Sequence, residues 1–144
     1  MHYTGTIWRP PYEAYSLLIQ VTAGCTHHSC KFCTLYEDLP FKFRMSPFEE
    51  VKSDLKEANY YYKDADRVFF TGANPFVLSV DKLKTLAKMV HEYFPNCQSI
   101  GCFARITDVS QKSVKDLQEL KGLGYDGITF GIETGDDEAL VFMK

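Results

Sequence analysis

Four short apolar runs alternating with amphipathic segments predict an α/β fold, a partial TIM-like barrel of about four parallel βα units. Two further observations favour a barrel. Residues 25–33, 72–75, 105–108 and 133–135, rich in cysteine, glycine and charge, all follow the expected carboxyl ends of the runs, which is the catalytic face of such a barrel. The chain has 144 residues where an eight-unit barrel takes about 250, or roughly 31 per unit, so a truncated barrel is expected. An open doubly wound sheet also binds at its strand carboxyl ends, so this placement argues for a site more strongly than for one architecture. A hydrophobic content of 45% supplies one buried core, and residues 1–144 are read as one domain.

The elements follow in order. Residues 16–22 form an apolar run leading into Gly24, the profile of a strand buried on both faces. Ser46-Pro47-Phe48-Glu49 has the form of a capping box with proline at the first helical position. It opens a helix to about residue 62 in which Phe48, Val51, Leu55 and Ala58 recur at helical spacing. Tyr60, Tyr61 and Tyr62 at its end are adjacent, face different directions, and read as a partly exposed helix end. Residues 67–71 are the second strand, stopped by Gly72 and Pro75. A helix over residues 81–94 turns Leu83, Leu86, Ala87 and Val90 inward before Pro95. Residues 99–104 are the third strand. A helix from near Ser110 places Val114, Leu117 and Leu120 on one face until Gly122 and Gly124 break it. Residues 127–132 are the fourth strand, and residues 134–137 resemble another helix start with acidic residues in its first turn.

Composition narrows the function. Net charge is −3 without a basic block, so a general grip on nucleic acid backbone is unsupported. No cleavable leader pattern occupies residues 1–15, and no window holds the roughly 18 apolar residues of a membrane span, so a cytoplasmic protein is expected. Three of the five cysteines, Cys25, Cys30 and Cys33, crowd one loop. That pattern points to reduced thiolate ligands in place of a disulfide framework. Three soft ligands grip three corners of a metal assembly and leave one free for substrate. Cys97 and Cys102 stand apart in or beside apolar sequence and read as small buried hydrophobes. His27 and His28 add a competing reading, a zinc site with a Cys3His ligand set.

The loop Cys25-x4-Cys30-Lys31-Phe32-Cys33 resembles the cluster motif of the radical S-adenosylmethionine superfamily, usually C-x3-C-x-aromatic-C; here the first gap holds four residues. Arg9-Pro10-Pro11-Tyr12-Glu13-Ala14 through Cys33, together with the stretch from Gly131 to Glu138, is similar to the elongator-related and coproporphyrinogen-oxidase-like branch. The resemblance covers nearly the whole chain but only the N-terminal part of the family's core domain. It implies a radical SAM enzyme in which Cys25, Cys30 and Cys33 hold a 4Fe-4S cluster whose fourth iron chelates S-adenosyl-L-methionine. The cofactor is cleaved reductively to a 5′-deoxyadenosyl radical, which takes hydrogen from a second substrate, and that first step needs no general base or nucleophile. The implied partners are an electron donor such as flavodoxin or ferredoxin and the second substrate.

By the same resemblance Phe32 lies beside the adenine, where it serves equally as a loop anchor. Gly72 belongs to the turn whose backbone receives the cofactor's amino group, although the acidic residue expected there is missing. Glu133 contacts the ribose or methionine part, against a plain solvated carboxylate. Arg105 is a candidate partner for a carboxylate, or a surface residue. A non-catalytic iron-sulfur or zinc-binding module is the alternative function. An unpaired fourth strand is expected to promote self-association.

Overall fold

Helical crossovers return the chain to the same end of a sheet each time, so successive strands run parallel. The computed structural model describes residues 1–143. Its strands are β1 (Leu17–Gln20), β2 (Thr22–Gly24), β3 (Phe43–Met45), β4 (Arg67–Thr71), β5 (Ser99–Ala104) and β6 (Tyr125–Phe130). Its helices are α1 (Phe48–Tyr61), α2 (Val80–Tyr93), α3 (Ile106–Ser110), α4 (Val114–Gly122) and α5 (Asp137–Met143). Four strands form a parallel sheet in the order β1-β4-β5-β6, and β2 pairs antiparallel with β3 in a separate ribbon. The expected α/β architecture is present as a four-stranded parallel sheet consistent with part of a TIM-like barrel; among the described residues the sheet does not close.

Strand alternation divides the sheet into two faces. On the helix side, Ile19, Val68, Phe70, Ile100 and Cys102 join one core with Val51 and Leu55 of α1, Leu83, Leu86 and Val90 of α2, and Leu120 of α4. Each fully buried side chain of this kind contributes about 1.5–3 kcal/mol. Cys97 and Cys102 belong to this core, 4% and 0% exposed, and burial pushes both thiols up. On the opposite face Phe69 meets Phe103 edge-on at 5.2 Å.

The amino-terminal end of that second face is filled by charge. Glu13 is fully buried and receives Arg67 Nε at 2.7 Å and Nη2 at 2.5 Å, with Ser16 Oγ as a third donor. Arg67 also reaches Ser99 and Asp126, so one guanidinium ties the first turns of β4, β5 and β6 to the N-terminal segment. Glycine leaves the guanidinium its place: a Cβ on Gly127 would stand 2.3 Å from Arg67 Nη2 and displace it.

Several expected boundaries move. Ser46 does not cap α1; its N–H donates to Val21 O at 2.9 Å because β3 carries the chain into the ribbon, and Pro47 takes the N-cap position without a side-chain bond. The first strand breaks at Val21, after which β2 leaves the sheet. The helix expected from Ser110 begins at Val114, capped by Ser113 with Asp116, and α3 precedes it. Val114 is therefore a first-turn residue, 72% exposed, and not a core residue. The fourth strand ends at Phe130, leaving Ile132 exposed outside it. Tyr60, Tyr61 and Tyr62 are all exposed.

Arg67→Ala should lower unfolding free energy by about 3–5 kcal/mol, because it leaves the Glu13 carboxylate buried without its counter-charge. Hydrogen bonding to Arg67 holds the Glu13 carboxyl below its ordinary range. Its stabilisation is thus present above that range and lost as pH falls through the lowered folded value, an acid-side loss the variant should lack in urea titrations. Among the described residues β6 pairs on one side only, and Phe130 and Ile132 are exposed near that edge. Concentration-dependent self-association is expected in sedimentation; a monomer across the concentration range would show that the edge is shielded.

Candidate metal and cofactor site

The cysteine loop is closed at its base by backbone chemistry. Gly24 ends β2 at φ +76°, and a Cβ there would lie 2.1 Å from Lys42 O. Only glycine takes this conformation at such close approach without strain. Cys25 N then donates to Lys42 O at 2.8 Å, continuing the β2–β3 ribbon. His28 adopts φ +49° within the four-residue gap, and Cys33 N donates to Cys30 O at 3.1 Å. These turns bring Cys25, Cys30 and Cys33, all partly exposed, around a cavity of about 350 Å³ that His28, Tyr36 and Glu37 also line.

Electrostatics show what else is near. Burial pushes the Cys30 thiol up, the neighbouring Cys25, Cys33 and Glu133 add to the rise, and Arg105 opposes it. Tyr36 is pushed up to about 12 by burial first and by Cys25 and Cys33 second, so it keeps its proton at neutral pH. Among the described residues no three His, Cys, Asp or Glu side chains converge to hold a single ion. A cluster asks for a different arrangement, with each thiolate on its own iron around a shared space. Three soft donors lining one cavity, with Cys97 and Cys102 sequestered in the core, fit such a group.

Behind the loop lies a buried polar bridge. Asn74 is fully buried; its Nδ2 donates to Thr26 Oγ1 at 2.7 Å and to Asp108 Oδ2 at 3.1 Å, while Thr26 N donates to its Oδ1 at 3.4 Å. Asp108, 2% exposed, accepts Arg105 N at 2.8 Å. One amide thus joins the cysteine loop, the turn after β4 and the turn after β5. Sequence reading placed Asn74 in the turn after the second strand without a role for its side chain, because the pairing spans 48 residues to Thr26 and 34 to Asp108. Nothing local in the sequence signals it.

The remaining candidates fall as follows. Gly72, at φ +134°, would bring a Cβ within 2.0 Å of Thr22 Oγ1. The buried hydroxyls of Thr22 and Thr71 have no hydrogen-bond partner among the described residues. Glu133 takes φ +66°, unusual for a non-glycine residue. Its carboxylate folds back so closely that a Cβ on Gly131 would meet Oε1 at 2.5 Å. Phe32 is 51% exposed and does not line the cysteine cavity; the aromatic side chain that does is Tyr36, which sequence reading passed over. His27 Nε2 lies 3.2 Å from Ser29 Oγ. At the far side, Lys31 N donates to Met143 O at 2.8 Å and its ammonium stands 4.6 Å from the Phe142 ring, so α5 touches the loop.

Comparison with known proteins agrees with this geometry. The sequence model of the Radical SAM superfamily matches residues 19–144. The heme chaperone HemW of Bacillus subtilis (strain 168) is 24% identical over 119 residues, covering 78% of this chain and 31% of that protein. No solved structure matches.

Asn74→Ala should cost about 1–3 kcal/mol, the usual penalty for stranding buried partners, and Asn74→Asp more, since it sets a carboxylate against Asp108. Urea unfolding of the metal-free protein measures both. Midpoints equal to wild type would show that the bridge is dispensable.

Proposed function

The chain belongs to the radical SAM superfamily, and we propose that Cys25, Cys30 and Cys33 hold a 4Fe-4S cluster in a radical SAM enzyme, or a part of one. The carrying observation is that the three thiols of one loop line a single cavity. With S-adenosyl-L-methionine, such a cluster supplies reductive cleavage to a 5′-deoxyadenosyl radical, which takes hydrogen from a second substrate.

The chain's own residues then bind and orient. Glu133 and Arg105, both within electrostatic reach of Cys30, present opposite charges suited to the amino and carboxylate groups of an amino acid moiety. Gly72 lets the turn after β4 approach Thr22 closely, and its backbone in that turn is assigned to the cofactor's amino group. Phe32 offers an exposed ring for the adenine. Asn74 fixes the loop against Arg105 through Asp108. We read residues 1–144 as the N-terminal part of the catalytic core, reduced by an electron donor such as flavodoxin or ferredoxin. The five free thiols fit a reducing, cytoplasmic setting, and among the described residues no helix is long and apolar enough to cross a membrane.

The relative's description as a heme chaperone favours a second reading, a cluster-bearing module that does not turn over. Formation of 5′-deoxyadenosine under anaerobic reducing conditions separates the two.

Anaerobic reconstitution should give a brown protein with about four irons and four sulfides. Replacing Cys25, Cys30 or Cys33 by Ala should abolish most of that content, whereas Cys97→Ala and Cys102→Ala should retain it. About one zinc with no sulfide would overturn the proposal in favour of a zinc site. S-adenosyl-L-methionine should alter the electron paramagnetic resonance spectrum of the reduced protein, and Glu133→Ala should weaken that change.

A further inference from the structure

Asn74 ties the turns after β4 and β5 to each other and to the cysteine loop, and Lys112 supplies a second tie between the same two turns. Its Nζ donates at 2.6 Å to Phe76 O, in the 3-10 turn Pro75–Val77 after β4, and at 3.0 Å to Asp108 O, in α3. The ammonium also stands 4.7 Å from the centre of the Phe76 ring. A lysine ordinarily buries its stem and leaves its head in water. This head is committed to two carbonyls and a ring face, in surroundings where burial pulls its pKa down despite Asp108, Cys102 and Asp116. The commitment has a consequence for α3, which is five residues long and too short to hold its own place. Its position is set by Asp108, 2% exposed, whose main-chain carbonyl accepts Lys112 while its Oδ2 accepts Asn74 Nδ2 and Arg105 N. Arg105 is the N-cap of α3, and its charge reaches Cys30.

We propose that Lys112 is a positioning residue for the ligand of the cysteine cavity: by pinning α3 to the turn after β4, it holds Arg105 where the guanidinium pairs with the carboxylate of bound S-adenosyl-L-methionine. This rests on the reading of the cavity as a radical SAM cluster site. Lys112 touches no ligand itself and acts through Asp108 and Arg105. An ammonium carries three protons and so can serve two carbonyls that converge on it from separate turns. An apolar side chain of similar length would strand both carbonyls, and a shift of α3 that relieves them carries Arg105 with it. The base of the cysteine loop is fixed independently by the β2–β3 ribbon. Holding iron and holding the ligand therefore separate.

The experiment titrates S-adenosyl-L-methionine into the reduced, reconstituted full chain, read by electron paramagnetic resonance. It compares wild type, Lys112→Met, Arg105→Ala and the double variant, with Lys115→Met, at an exposed position of α4, as the control. Lys112→Met should bind the cofactor about tenfold more weakly, the size of one lost contact of this kind, with iron and sulfide content unchanged. Lys115→Met should match wild type. The double variant should bind no more weakly than Arg105→Ala alone, the non-additivity of residues that act through one another. A residue that only stabilised the fold would add its own loss. Equal affinities in wild type and Lys112→Met, or additive losses in the double variant, would overturn the proposal and leave the cluster and cofactor reading intact. Loss of iron from Lys112→Met would overturn it as well, assigning the residue to the folding of the loop. A wild-type spectrum unchanged by saturating cofactor would overturn the cofactor reading and this proposal together.

Discussion

A carboxylate cannot be buried alone, and the sheet is arranged around the pairing of the buried Glu13 with the partly exposed Arg67. Arg67 sits at the first residue of β4 and points to the face away from the helices, where it meets the carboxylate. The chain supplies Glu13 from a 3-10 turn at Pro11–Glu13, which draws the N-terminal segment across the amino ends of the strands. Room for the pair comes from Gly101 and Gly127, register partners on β5 and β6. One electrostatic requirement therefore selects the residue types on four elements. Its cost is recovered because the carboxylate is saturated by Arg67 and Ser16, the condition under which a buried ion pair is tolerated. With the amino ends closed in this way, the carboxyl ends are left for ligands.

At the carboxyl end the same problem is solved with a neutral group. Asn74 presents both a donor and an acceptor, so one side chain satisfies Thr26 on the cysteine loop and the buried Asp108 beyond β5. A charged residue at position 74 would face Asp108 as either a like charge or a second buried ion, each costlier than an amide. The bridge also explains how a loop with little regular structure is located. Its base is held by the β2–β3 ribbon, its flank by Asn74, and its far side by α5 through Lys31.

Legibility in the sequence followed the range of the forces involved. β4 and β5 were readable residue for residue, because continuous apolar runs bounded by glycine or proline have few alternatives. The crowding of Cys25, Cys30 and Cys33 was readable for the same local reason. β6 was expected over residues 127–132 and runs from Tyr125 to Phe130, displaced because Gly124 and the charged Asp126 hide its start while Ile132 extends the apolar pattern beyond its end. Ser46 imitated a capping residue while its backbone was committed to Val21. Asn74 and Tyr36 were invisible as site residues for a related reason: an amide in a glycine-proline turn and a tyrosine three positions after a cysteine are both ordinary until distant residues surround them.

The distribution of satisfied and unsatisfied polar groups separates the two ends more sharply than composition does. At the amino end Glu13, Arg67, Ser99 and Asp126 are mutually bonded. At the carboxyl end the buried hydroxyls of Thr22 and Thr71 lack partners among the described residues, and Glu133 is held at a positive φ. Each unpaired buried group costs about 1–3 kcal/mol, and a left-handed non-glycine residue adds about 1–3 kcal/mol more. Such costs scattered over a molecule would mark poor packing. Here they gather beside three thiols, opposite the bonded closure at Glu13 and Arg67.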